Sequence, residues 1–64
     1  MCESNAFFKK GDTEELLLKD VSVLKPLPDG EVYIENILGE QKTLKAKIHE
    51  IDFMAHKIIL EQEK

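Results

Sequence analysis

Sixty-four residues form one small domain, because a chain of this size buries only about 60% of its unfolded surface and leans on a metal, a staple or a partner for stability. Thirteen acids against nine bases, all of them lysine, give a net charge of −4. That balance disfavours a general phosphate-binding surface, which draws on a basic field and forked arginines. A lone cysteine excludes an internal disulfide, no segment approaches the roughly 20 apolar residues of a membrane span, and the opening MCESNAFFKK lacks the basic-then-apolar order of a secretory leader. The expectation is therefore a single cytoplasmic domain over residues 1–64.

The chain begins with its most reactive chemistry. Cys2 follows Met1 directly, so the α-amine of Met1, the amide nitrogen of Cys2 and its sulfur can close two fused five-membered chelate rings around one ion. With Met1 removed, the amine and sulfur of Cys2 close one. Two such pairs from two chains make an N2S2 square, a field that suits nickel(II) or copper(II) better than zinc. The alternative is a reactive terminal thiol with no metal.

Strands are expected at about residues 3–9, 13–18, 20–27, 31–37, 41–49 and 52–61. In the first, Ala6 and Phe8 face inward and Phe7 outward, and Lys10-Gly11-Asp12 carries hairpin residues. Thr13-Glu14-Glu15 could begin a helix, but the stretch is too short to nucleate alone. Pro26, Pro28 and Asp29-Gly30 mark a turn after Val21 to Leu27. Val32 and Ile34 share one face of the next strand while Glu31, Tyr33 and Glu35 take the other. Asn36 and Gly39 punctuate it, and Leu44, Ala46 and Ile48 then alternate with Lys45, Lys47 and His49. A bend at Met54 to His56 feeds the last strand. Five or six short antiparallel strands in so short a chain must curl into a small β-barrel to cover their edges.

Read together, Met1-Cys2-Glu3, Glu14-Glu15-Leu16-Leu17-Leu18, Asp20-Val21, the stretch from Val32 to Glu40 and the closing Asp52 to Glu61 resemble the CooT-type proteins. These are small nickel-binding accessory proteins associated with maturation of carbon monoxide dehydrogenase. The resemblance spans essentially the whole chain, and its one chemically specific element is the N-terminal Met-Cys, which maps the family's nickel-binding cysteine onto Cys2. It implies an SH3-like small β-barrel, a nickel(II) site at the N-terminus using Cys2 and Met1, a homodimer, and nickel-enzyme maturation machinery as partner. Related sequences are also labelled RNA-binding, a reading that rests on barrel shape.

The other candidate ligands are weaker. His49 falls on the polar face of its strand, His56 in the bend, and their spacing presents no paired imidazoles to one ion. Met54 reads as a gap-filler or turn residue. No catalytic motif is present: there is no glycine-rich phosphate loop, no GxSxG and no HExxH. A nucleic-acid or protein interaction module would have to use Phe7, Tyr33, Lys45 and Lys47, and a structural subunit would leave the cysteine incidental.

Overall fold

A computed structural model describes residues 4–62. Five strands, β1 (Ser4–Lys10), β2 (Thr13–Pro26), β3 (Glu31–Asn36), β4 (Gln41–Asp52) and β5 (Lys57–Gln62), close into a barrel in chain order. Each strand is antiparallel to the next, but β1 and β5 meet in parallel. Parity requires this. In a ring of five strands that alternate in direction, the first and fifth run the same way, so the expectation of antiparallel strands holds for four pairings and not for the closing one.

Alternation in the sequence sets the inner wall. Val32, Ile34 and Asn36 of β3 are buried, as are Ala6 of β1, Ala46 of β4, and Ile58 and Leu60 of β5, with Leu18 and Val21 completing the core. Phe8, Leu17, Leu24 and Leu44 pack against this cluster from the sides. On the opposite face Leu16, Phe7 and Ile59 lie in a row across β2, β1 and β5. Lys57 covers that row: its Nζ sits 5.1 Å from the Phe7 ring centroid and donates to Oε1 of Glu14 at 2.8 Å.

The two strands expected at 13–18 and 20–27 are one long, bent β2. Its pairing with β1 slips between Ala6–Leu18 and Ser4–Val21, and its pairing with β3 slips again between Val21 and Val23. Extra residues of this kind bend a strand without ending it. The first half of β2 therefore lies on β1 and the second half on β3. Thr13 to Glu15 are extended and paired with Lys10, Lys9 and Phe8, so the helical alternative is not taken. The same device lengthens β4 to Asp52, where a register shift between Ile48 and Glu50 leaves His49 as the extra residue. The last strand accordingly starts at Lys57, after a turn over residues 53–56.

Candidate metal centre

The structure is most unusual where β1 begins. Among the described residues, two that are not glycine adopt positive φ, Asp20 at 57° and His56 at 56°. Both hydrogen-bond to Asn5. The main-chain N–H of Asn5 donates to the carbonyl of His56 at 2.9 Å, and the main-chain N–H of Asp20 donates to Asn5 Oδ1 at 3.1 Å. Asp20 sits where β2 slips against β1, so its N–H lacks a regular ladder partner and the Asn5 side chain supplies one. Its carbonyl in turn accepts from the N–H of Ile37 at 3.1 Å. A continuous run of bonds thus joins the β3–β4 turn, the corner of β2, the first residues of β1 and the β4–β5 turn.

Both turns in that run are built by short polar side chains. Asn36 is 4% exposed. Its Oδ1 accepts from the N–H groups of Leu38 and Glu40 at 3.1 and 2.9 Å, and its Nδ2 donates to Oε1 of Glu40 at 2.6 Å. Asp52 Oδ1 accepts from the N–H groups of Met54 and Ala55, each at 3.0 Å. The tips of these turns carry the most exposed large apolar side chains, Ile37 and Leu38 on one and Phe53 and Met54 on the other. Met54, 92% exposed, is a turn residue and fills no gap in the core.

Cys2 and Met1, the expected ligands, lie outside the described residues. Among the described residues no group of three or more His, Cys, Asp or Glu side chains is placed to hold a metal. His49 is at the β4 bulge, its Nδ1 3.3 Å from Oε1 of Glu61, beside Lys47, which approaches the same carboxylate to 3.6 Å. His56 is in the β4–β5 turn and contributes its carbonyl to Asn5. By ligand type, an amine, an amide nitrogen and a thiolate are donors that suit nickel(II).

The four residues a nucleic-acid surface would use are spread over β1, β3 and β4. Phe7 is on β1 and Tyr33 on β3, strands that do not pair with each other. The Tyr33 hydroxyl donates to Glu35 Oε1 at 2.6 Å, which together with partial burial and the carboxylate's charge raises the phenol's pKa above 10.0. Lys45 and Lys47 stand opposite Glu31 and Glu61. No helix of the described residues is long and apolar enough to cross a membrane.

Sequence reading singled out neither Asn5 nor Asp20 for this role. The one signal was Asp20 itself, a residue prone to the left-handed conformation placed where the strand alternation breaks.

Comparison with known proteins gives one family and one fold. The model of the family described as CO dehydrogenase accessory protein CooT matches residues 1–61. A crystal structure assigned to CooT from Carboxydothermus hydrogenoformans is 44% identical, superposes with a TM-score of 0.89, and the match covers 98% of this chain and 100% of that one. No curated protein gives a significant match.

Proposed function

The chain belongs to the CooT family of CO dehydrogenase accessory proteins, and from that premise we propose that it binds nickel(II) at its N-terminus and carries it as cargo toward a nickel-dependent enzyme. Cys2 is the only thiol, and with it the α-amine and the first amide form a chelate that needs no other side chain. The observation that carries this reading is a Met1-Cys2 start in a chain matched by the family model from its first residue. The protein acts as a carrier and not as a catalyst, in the cytoplasm where its thiol stays reduced.

One terminus offers amine, amide and thiolate, one donor short of a square plane. Two termini complete it, so the reading includes a homodimer that shares the ion. Binding releases protons from the thiol, the terminal ammonium and the coordinating amide nitrogen, so affinity rises with pH. Proton release moves with it.

Titration with Ni(II) followed by ultraviolet absorbance tests the proposal. Thiolate-to-nickel charge transfer should grow to saturation in the parent and be absent from Cys2→Ala, whose circular dichroism should match the parent's. Residues added in front of Met1 should weaken binding and shift the band, because they take the primary amine out of range. His49→Ala and His56→Ala should each change affinity far less. An alanine variant at Cys2 that bound nickel as the parent does would sink the terminal site.

A further inference from the structure

One imidazole and one carboxylate meet on the outer face of the β4–β5 ladder, and neither belongs to the core. His49 is the extra residue where the β4–β5 register shifts, and bulges of this kind re-aim a side chain and recur beside functional sites. Its Nδ1 lies 3.3 Å from Oε1 of Glu61, with the two side chains 39% and 31% exposed. Lys47 stands directly opposite Glu61 and approaches the other carboxylate oxygen, Oε2, at 3.6 Å. Lys9 flanks Glu61 from β1, but its Nζ donates to the carbonyl of Gly11 at 2.7 Å. Oε1 is thus the oxygen that faces the imidazole, and Oε2 the one that faces an ammonium.

The distance between the two donors selects a geometry. Ligands each about 2.05 Å from one ion stand about 3.3 Å apart at the tetrahedral angle and about 2.9 Å apart at a right angle. His49 and Glu61 are therefore spaced for tetrahedral zinc(II) and too wide for neighbouring corners of a square plane. Both project from strands that are already paired, so little backbone has to be ordered on binding. The imidazole offers a lone pair at Nδ1 in the neutral tautomer that keeps its proton on Nε2.

We propose that His49 Nδ1 and Glu61 Oε1 form a two-donor zinc(II) site on the β4–β5 face. It does not depend on the terminal-site reading above. Resident zinc is held by three or four protein ligands. With two, water fills the other positions and the ion exchanges readily with solution. Lys47 opposes binding, because its ammonium attracts the same carboxylate and repels the incoming cation.

The test is a Zn(II) titration of the Cys2→Ala protein, which lacks the terminal thiol, with the imidazole nitrogens of both histidines followed by NMR at about pH 7.5, where neutral imidazole predominates. The Nδ1 resonance of His49 should shift saturably, and at least about tenfold more zinc should be needed to move His56. Added to that background, Glu61→Gln keeps the side chain's size, removes the anionic donor and should weaken binding at His49 about tenfold. Lys47→Met should instead tighten it about threefold, since it frees the carboxylate from its ion pair. That gain is one a merely structural pair would not show. His49 and His56 responding at the same zinc concentration would mean imidazoles binding one by one and would overturn the site. So would unchanged affinity in Glu61→Gln. If Glu61→Gln does not fold, the comparison of the two histidines and the Lys47→Met titration decide the matter without it.

Discussion

Asn36 shows how much one buried polar residue can organise. Its side chain makes three hydrogen bonds within a five-residue span, and its main chain makes two more, from its N–H to Glu40 and from Gly39 N–H to its carbonyl. Alanine there strands two N–H donors next to the core, a loss of about 2 kcal/mol in urea denaturation. A change below about 0.5 kcal/mol would mean that the main-chain bonds hold the turn unaided. Two ionisable groups set a pH dependence at the same scale. The hydrogen bond to Glu35 leads in raising the Tyr33 phenol, and the hydrogen bond to Glu14 leads in raising the Lys57 ammonium. Both folded pKa values exceed their unfolded values of 10.0 and 10.5. Their contribution is therefore complete below about pH 10 and is lost as pH rises through the folded values. Melting temperature should fall more steeply above about pH 10 in the parent than in Tyr33→Phe, and equal slopes would show that the Tyr33 bond to Glu35 carries no linkage.

At the scale of elements, the legible parts were those where the side-chain period of two runs unbroken. β3 was plain from Val32 and Ile34, and the first half of β4 from Leu44 and Ala46. β2 was not, because Lys19-Asp20 interrupts the alternation and an interruption reads as a gap. In the structure it is a corner with Asp20 at positive φ, and a corner lets one strand serve both β1 and β3. His49 hid the length of β4 in the same way, since an extra residue shifts every later side chain to the other face. The corner makes its own prediction. Asp20→Val puts a β-branched residue into the left-handed region and should cost at least about 1 kcal/mol by chemical denaturation, whereas Asp20→Gly keeps the N–H donor, suits the geometry and should stay within about 1 kcal/mol of the parent. A valine variant as stable as the glycine one would show that β2 can turn the corner by another path.

For the whole molecule, 64 residues correspond to a total stability of about 3 to 10 kcal/mol. Ile34 and Leu60 are fully buried at the centre of the core, and truncating either to alanine typically costs about 2 to 5 kcal/mol. Ile34→Ala should therefore leave much of the apo chain unfolded at physiological temperature by circular dichroism, and a melt like the parent's would mean that the barrel collapses around the gap. In the proposed reading, nickel bound only by a folded dimer would add stability in proportion to the logarithm of free metal over its dissociation constant. The barrel was readable from the sequence, from alternation in a chain too short to leave edges open, while the terminal chelate proposed from the adjacency of Met1 and Cys2 lies outside the described residues. The hydrogen bond from the Asp20 N–H to the Asn5 side chain was not, because it joins residues distant in sequence at a corner of β2. Native mass spectrometry with and without Ni(II) joins these claims in one measurement. The account predicts one nickel per two chains in the parent, a dimer that persists at lower concentration when loaded, and no nickel on Cys2→Ala. Nickel carried one-for-one by a monomer would contradict the shared site, and equal loading of the Cys2→Ala variant would contradict the N-terminal centre altogether.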